Sequence, residues 1–457
     1  MQNFHSVKLD VDKCKGCTNC IKHCPTEAIR VHNGKATIME ERCIDCGECI
    51  RSCPNHAKYA HTATLEKLRE YKYNIAMPAP SFFGQFKENE KIEDILQAFL
   101  HIGFDEVFEV ALAAEVVAFI VHRQLMEPGI KKPVFSSACP AVLRLMQIKF
   151  PGLLDQITHV LSPMEVAARI AKEEAVKKTG IAYDDIGAIF ISPCPAKATE
   201  MKQPITTKHS AVDAVIGANI IYKDIIRNLG KGSSKDDSFN GKGTDLHKAT
   251  KRGMSWGYLT GESKSIELGT TLAVSGIHNV ISLLEEIERG ELQDVDFIEL
   301  QACNAGCVGG PLNIQNSFVG RVHLKDLITR YGSGIPYYDD STLLGIYEQK
   351  KFESTERVVQ RPIMILDEDV SKALIKMERL DKLTEALPGL DCGACGSPTC
   401  RALAEDIIRG IAFETDCVIK LRDRVNTLAQ EILDLARIVP PIMAAGDSEN
   451  SEKKDDS

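Results

Sequence analysis

Sixteen cysteines constrain the structure of this 457-residue chain more than any other feature. They divide into four sets of four, each with a spacing that suits an iron-sulfur ligand set. The sets are, in chain order, Cys14, Cys17, Cys20 and Cys24; Cys43, Cys46, Cys49 and Cys53; Cys139, Cys194, Cys303 and Cys307; and Cys392, Cys395, Cys400 and Cys417. No cysteine is left over for a disulfide.

The composition excludes several classes of protein. The formal charge of −9 argues against a nucleic-acid partner, because such proteins carry a basic surface. The first residues contain no apolar signal region, and no run of about 18 apolar residues occurs anywhere. We therefore expect a cytoplasmic protein with no membrane partner. In that reducing compartment, so many thiols favour metal binding over disulfides.

Residues 1–58 contain an internal repeat of the run C-x2-C-x2-C-x3-C-P. The repeat resembles a bacterial-type two-cluster ferredoxin domain of α+β fold. In that arrangement each run gives three cysteines to one 4Fe-4S cluster, and its fourth cysteine ligates the other cluster. The expected ligand sets are Cys14, Cys17, Cys20 and Cys53 for one cluster and Cys43, Cys46, Cys49 and Cys24 for the other. Zinc is the alternative, and the two prolines argue against it.

An α/β domain is expected over residues 75–360, joined to the first domain by a linker helix over 59–74. Four short apolar runs, at 73–77, 134–135, 188–191 and 297–300, each lead into a loop. In open α/β sheets, ligands bind beyond the carboxyl ends of the strands. The central cysteines are therefore predicted to gather there. The polar, glycine-rich segment 230–253 is predicted to be a surface insertion.

Three motifs around the central cysteines carry a resemblance to a known family: SSACP at 136–140, SPCPAKATE at 192–200 and QACNAGCVGG at 301–310. The chain resembles FeFe hydrogenases over residues 1–320. The resemblance implies a catalytic domain of two α/β lobes around a buried H-cluster.

The resemblance also implies roles for individual residues. The four central cysteines would hold a 4Fe-4S cluster, and Cys307 would bridge it to a two-iron centre with CO, cyanide and azadithiolate. Lys197 would hydrogen-bond an iron-bound cyanide, with Glu200 as its acidic companion. The loop Ala79, Pro80 and Ser81 would line the two-iron pocket. A plain 4Fe-4S carrier on the same four cysteines is the alternative.

The departures from the family pattern concern proton transfer. Fast members carry a proton-relay cysteine where this chain has Ala138, and a methyl group cannot exchange protons. The relay carboxylates of the family fall on Val121 and Gln124. Two methionines that usually pack around the two-iron centre correspond to Ser192 and Gln301. These differences resemble the sensory branch of the family.

The end of the chain resembles a small helical 4Fe-4S domain, expected over 383–420 after a linker at 361–382. Zinc is again the alternative for its four cysteines. After Cys417, apolar residues recur at alternating steps of three and four, which predicts a coiled-coil helix over 421–445. An amphipathic helix packed on its own domain would show the same pattern. Residues 446–457 are predicted to be disordered.

These features together predict an FeFe hydrogenase that interconverts H2 with two protons and two electrons at low turnover and serves H2 sensing. Three accessory 4Fe-4S clusters would pass electrons to a ferredoxin or another redox protein. A regulatory kinase or phosphatase and a second copy of the chain are further expected partners. The alternatives are the catalytic subunit of a ferredoxin-linked or electron-bifurcating complex, and a non-catalytic iron-sulfur electron carrier.

Overall fold

The computed structural model describes residues 4–87, 89–230, 246–332, 334–363 and 366–438. The chain divides into two compact units, Met1–Ile363 and Met364–Ser457. The ferredoxin-like repeat and the central α/β region, which the sequence predicts as two domains, therefore share one compact unit. Most of the predicted insertion (231–245) and the predicted tail (446–457) lie outside the described residues. No described helix is both long enough and apolar enough to cross a membrane.

The N-terminal module consists of two antiparallel strand pairs and two short helices. Strand β1 pairs with β4, and β2 pairs with β3. The cysteines pack with apolar residues such as Val7, Ile21 and Ile29 in a small core. The elements are β1 (Val7–Leu9), α1 (Asn19–Lys22), β2 (Ile29–His32), β3 (Lys35–Ile38), α2 (Glu48–Arg51) and β4 (Lys58–Ala60).

The linker helix expected over 59–74 is shorter than the sequence suggests. Its first residues, Tyr59 and Ala60, belong to strand β4, where they pair with β1. Only Leu65–Glu70 is helical, as a 3-10 helix. Tyr73 is the first residue of the first strand of the central region. Residues at both ends of 59–74 therefore belong to paired strands, which shortens the helix.

The larger sheet of the central region has four parallel strands in the order β6-β5-β8-β9. Every residue of β8 is buried, which is typical of a parallel strand covered on both faces. The strands are β5 (Tyr73–Pro78), β6 (Glu106–Val107), β8 (Ile186–Ser192) and β9 (Ala214–Gly217), and the helices of this lobe include α3 (Ile92–Ile102), α4 (Val110–Leu125), α6 (Pro163–Thr179) and α8 (Ala218–Asn228).

A second parallel sheet has three strands in the order β10-β11-β7 and a separate apolar core. Its strands are β7 (Val134–Phe135), β10 (Thr271–Ser275) and β11 (Phe297–Gln301), and its helices include α5 (Pro140–Lys149) and α11 (Ile277–Glu288). The four strands predicted from apolar runs are thus divided equally between the two sheets. The remaining helices of this unit are α7 (Pro195–Lys202), α9 (Lys251–Met254), α10 (Gly261–Ile266), α12 (Ser317–Tyr331) and α13 (Asp340–Glu348).

The C-terminal unit is helical. It contains α14 (Val370–Ala386), α15 (Cys400–Ile408) and α16 (Val418–Ala436). Helix α14 replaces much of the linker predicted over 361–382, because Leu380 packs with Leu387 and Leu403 in the core of this unit. No side chain of α16 is buried, so the described residues do not show this helix packed on its own domain.

Candidate active site

The four central cysteines come from three segments, each of which directly follows a strand of one of the two sheets. Cys139 follows β7 and Cys194 follows β8, and each precedes the first residue of a helix, α5 and α7 respectively. Cys303 lies in the loop after β11, and Cys307 begins a short 3-10 helix, Cys307–Gly309. Helix N-termini favour negative charge, so the two helices stabilise an anionic thiolate cluster between the sheets.

All four of these cysteines line one cavity of about 100 Å³. The loop after β5 contributes Ala79, Pro80 and Ser81 to the same cavity. Much of the lining is apolar, and the polar side chains on it are few. The apolar lining residues include Val110, Ala114, Met164, Phe190, Trp256 and Leu300, and the charged or amide-bearing ones are Lys197, Glu262 and Gln301.

The thiols lie close enough to interact electrostatically. Burial and the neighbouring charges of Cys303 and Cys139 raise the pKa of Cys194 to about 12. Burial and the other three thiolates likewise raise the pKa of Cys307 well above its usual value. These groups stay protonated in the metal-free chain at neutral pH. Metal binding must therefore release protons here, as is general for thiolate sites.

Two polar groups on the cavity, one buried and one partly buried, suit a polar inorganic ligand. Ser81 is fully buried, and its hydroxyl has no hydrogen-bond partner among the described residues. Lys197 places its ammonium group on the cavity wall, where Nζ donates to the carbonyl of Ala138 at 3.0 Å. A hydroxyl and an ammonium donor on a largely apolar wall match the requirements of cyanide ligands. The donor set therefore fits an H-cluster.

Two other predicted residues lie away from the cavity lining. The Ser192 hydroxyl accepts from the backbone N–H of Cys194 and donates to its carbonyl, both at 3.0 Å, so it shapes the ligand loop. Glu200 is buried and does not line the cavity. It accepts from Ile205 N at 3.0 Å and pairs with Arg144 at 3.4 Å.

A pair of buried carboxylates beside the cavity was not predicted from the sequence. Glu262 lies on α10 and lines the cavity, and Glu299 lies on β11. Burial raises the pKa of Glu262, and the charge of Glu299 raises it further. Burial also raises the pKa of Glu299. The pair therefore holds protons under conditions in which an exposed glutamate is ionised.

Hydrogen bonds connect the two carboxylates to the ligand loops. The Ser136 hydroxyl donates to Glu262 at 2.6 Å and accepts from the backbone N–H of Ala138 at 3.1 Å. Gln301 Nε2 donates to Glu299 at 2.7 Å, and its buried Oε1 has no partner among the described residues. An acidic residue inside an apolar strand was the one sequence signal for this network, because glutamate is rarely buried without a partner.

The N-terminal module brings its cysteines together in the expected combinations. Cys14, Cys17, Cys20 and Cys53 line one small cavity. Cys24, Cys43, Cys46 and Cys49 line another. In the C-terminal unit, a further small cavity is lined by Cys392, Cys395, Cys400 and Cys417.

The module also contacts the central site. Cys46 lines the central cavity together with the four central cysteines. Arg51 donates to the carbonyl of Gly309 at 2.6 Å, and its charge interacts with the Cys303 thiol. The Ser6 hydroxyl donates to the carbonyl of Pro195, next to Cys194, at 2.7 Å. One ferredoxin-like thiol set is therefore a direct neighbour of the central set.

Comparison with known proteins identifies the family. The sequence-family model named 'iron only hydrogenase large subunit, C-terminal domain' matches residues 72–230 and 235–311. A 4Fe-4S dicluster domain matches residues 6–54, and an Fe-S cluster domain matches residues 387–419. Because the first model matches more than half of the chain, this protein belongs to the iron only hydrogenase large subunit family.

Individual relatives are distant. The periplasmic Fe hydrogenase large subunit of Nitratidesulfovibrio vulgaris is 26% identical over 364 residues, covering 67% of this chain and 86% of that protein. The cytosolic Fe-S cluster assembly factor narfl of Danio rerio is 22% identical over 308 residues, covering 55% and 74%. The FeFe hydrogenase HydA1 of Chlamydomonas reinhardtii superposes with a TM-score of 0.50 at 17% identity, over 65% of this chain and 98% of that one.

These matches confirm the predicted fold class. The chain has the FeFe hydrogenase fold, with parallel sheets, an N-terminal ferredoxin-like module and a C-terminal helical iron-sulfur domain. The family relation and the thiol sets support iron-sulfur electron transfer. The sensory branch remains a prediction.

Proposed function

We propose that this protein is an FeFe hydrogenase that interconverts H2 with two protons and two electrons. One observation carries the proposal: four thiols from three distant segments line an apolar cavity that also contains a cationic donor and a buried acid. A simple electron carrier requires the thiols. It does not require Lys197 or Glu262 on the same cavity wall.

Different residues of the cavity would bind different parts of the cofactor. Cys139, Cys194, Cys303 and Cys307 would hold a 4Fe-4S cluster, with Cys307 shared with the two-iron centre. When bound, that centre supplies the heterolytic chemistry of H2. Ser81 and Lys197 would donate hydrogen bonds to its anionic ligands, since charge-assisted bonds are strong in a dry site.

Proton handling falls to Glu262 rather than to residue 138. The methyl group of Ala138 has no exchangeable proton. Glu262 lines the same cavity, and its raised pKa keeps a proton on the carboxyl group near neutral pH. Glu299 forms a second proton-holding site deeper in the same unit. A group whose pKa lies near the working pH is suited to general acid and base catalysis.

Electrons would leave through the N-terminal module. Cys46, expected to ligate one ferredoxin cluster, lines the cavity of the central thiols. The Arg51 guanidinium interacts electrostatically with Cys303 from the module side. These contacts support a short path from the central cluster to the module and onward to a ferredoxin or another redox protein.

Low turnover and an H2-sensing role complete the proposal. The absence of an exchangeable proton at residue 138 supports low turnover, because losing an acid-base group costs about 10²–10⁴-fold and Glu262 would restore only part of that. A sensor needs to report a redox state and not to carry flux. The extra C-terminal thiol set would supply the output.

An infrared spectrum of the anaerobically matured protein under H2 and under argon tests this function. Iron-bound CO and cyanide bands that change with the gas are expected. Their absence, with cofactor supply verified on a known hydrogenase in parallel, would overturn the proposal.

A second candidate is a non-catalytic iron-sulfur protein. The similarity to a cytosolic Fe-S cluster assembly factor favours it, because that relative aligns with 55% of this chain at an identity close to that of the hydrogenases. It predicts iron and sulfide in the purified protein but no CO or cyanide bands.

A further inference from the structure

Of the residues of helix α16 (Val418–Ala436), the first two, Val418 and Ile419, line the C-terminal thiol cavity, and the later turns do not. None of the side chains of α16 is buried, and every residue from 421 to 436 is exposed. An isolated helix of this length is only marginally stable in water. The helix therefore needs a partner surface to be well populated.

Its apolar residues form one seam. They recur at steps of three and four, so that they lie along a single stripe of the helix. Between 41% and 66% of each of these side chains is exposed: Val418, Leu421, Val425, Leu428, Ile432 and Leu435. Six large apolar side chains on one line are more than scattered surface residues would provide. Val439, the next position of the seam, lies outside the described residues.

The residue types on the seam favour one oligomeric state and one orientation of the paired helices. The first position of each heptad is called a. The residues at the three a positions are all β-branched: Val418, Val425 and Ile432. The three d positions are all leucine, at 421, 428 and 435. β-branched residues at a with leucine at d favour a parallel two-stranded coiled coil over trimers and tetramers. We propose that α16 pairs with α16 of a second copy of this chain in a parallel coiled coil.

Charge on the helix is compatible with self-pairing. Although the chain carries a formal charge of −9, the helix and the residue that follows it carry four basic and three acidic side chains, a difference of only +1. These side chains are Lys420, Arg422, Arg424, Arg437, Asp423, Glu431 and Asp434. Two copies therefore do not repel along the seam.

The flanking positions also suit the parallel arrangement. In a parallel pair, each g residue faces the e residue of the next heptad on the partner helix. Here Arg424 faces Ala429, and Glu431 faces Ala436, so no like charges meet. The short alanine side chains leave room for the aliphatic stems of Arg424 and Glu431 to cover the seam.

The seam begins at the residue after Cys417, which lines the C-terminal thiol cavity. Pairing of α16 thus places the C-terminal thiol sets of two chains at the same end of the dimer. This arrangement is independent of whether the central cavity reacts with H2.

Sedimentation equilibrium of the full-length, iron-loaded chain under anaerobic conditions tests the proposal. Twice the chain mass is expected at micromolar concentration. Leu428→Asp, which buries a charge in the seam, should give the monomer mass. Leu433→Asp is the matched control, because Leu433 is an exposed leucine of the same helix that lies off the seam. It should remain dimeric.

Three outcomes would overturn the proposal: a monomer at all concentrations, a dimer that survives Leu428→Asp, or equal dissociation by both variants. Iron content per chain and far-UV circular dichroism show that each variant is folded. A further variant carries leucine at the three a positions and isoleucine at the three d positions. It should form a higher oligomer if the seam packs as a parallel coiled coil, whereas an unchanged dimer would exclude that packing.

Discussion

The N-terminal module and the central cavity each place a buried carboxyl group beside a thiol set, and they hold it in opposite states. In the module, Asp45 lines the cavity of one set and contacts His5 at 2.8 Å. Burial alone would raise the pKa of Asp45, but the hydrogen bonds from His5 and Val7 N lower it overall. On the central cavity, burial and Glu299 raise the pKa of Glu262. One acid stays ionised and the other keeps its proton.

This difference separates a site that needs only electrons from one that also needs protons. A carboxylate with fixed charge tunes a cluster and stays in one protonation state. A carboxyl group with a raised pKa exchanges its proton near neutral pH. The source of the thiols differs as well: the module takes them from two local repeats, whereas the central set comes from three segments of two sheets. The central cavity, at about 100 Å³, is also larger than the two module cavities, at about 20 Å³ each.

The largest effect is expected from removing the thiol that the central cavity would share between two metal groups. Cys307→Ser should abolish the infrared bands of iron-bound CO and cyanide, because serine does not replace a bridging thiolate. The electron paramagnetic resonance signals of the module clusters should persist, since Cys307 lines neither of their cavities. Retention of the CO bands would mean that another residue anchors the two-iron centre.

Glu262→Gln should lower H2 turnover by about 10²-fold or more, the usual effect of losing a positioned acid-base group. The glutamine keeps the shape but has no titratable proton. Glu115→Gln is the matched control, because Glu115 is also buried with a raised pKa but does not line the cavity. An equal loss in both variants would assign the effect to stability and not to proton transfer.

Ala138→Cys should raise H2 turnover by about tenfold or more if proton delivery limits the rate. The residue lines the cavity and is only partly buried, so a thiol has room there. Ala114→Cys places a thiol elsewhere on the same cavity and should not accelerate the reaction. An unchanged rate in Ala138→Cys would show that a different step is limiting.

The raised pKa of Glu262 also predicts how stability depends on pH. The folded state keeps a proton that the unfolded state loses above the ordinary pKa of 4.5, so the contribution is complete below that pH and is lost as pH rises through the folded-state pKa. A tenfold difference in proton affinity between the folded and unfolded states corresponds to about 1.4 kcal/mol. Thermal unfolding between acid and mildly alkaline pH should therefore show a shallower decline for Glu262→Gln. An unchanged slope would mean that Glu262 is ionised in the folded chain.

Much of the site could be predicted from sequence, and the limits have physical causes. The cysteine sets and the strands that carry them follow from spacing and short apolar runs, and the loop at Ser81 was implied by the family resemblance. Glu262 could not be predicted, because its position on the cavity depends on how α10 packs against β11. Glu299 is recognisable in the sequence as an acidic residue inside an apolar strand, but the sequence does not show which buried group it lies beside. The length of α14 was missed, since only tertiary packing of Leu380 distinguishes that helix from a linker.

The smallest expected effect concerns a cation inside the module. Lys58 is 3% exposed, lines the cavity of the first thiol set, and its Nζ has no hydrogen-bond partner among the described residues. Its charge opposes the burial that raises the pKa of Cys20 and of Cys49, which belong to different sets. Because a nearby cation favours the more negative reduced cluster, Lys58→Met should lower both module potentials.

A shift of about 60 mV, equivalent to about tenfold for one electron, is expected in an anaerobic redox titration followed by electron paramagnetic resonance. Lys8→Met provides the control, since Lys8 belongs to strand β1 of the same module but is 40% exposed. The reduction potentials of both module clusters in Lys8→Met should stay within a few millivolts of those in the parent protein. If Lys58→Met shifts only one of the two clusters, the ammonium acts on a single thiol set and the two module clusters are tuned separately.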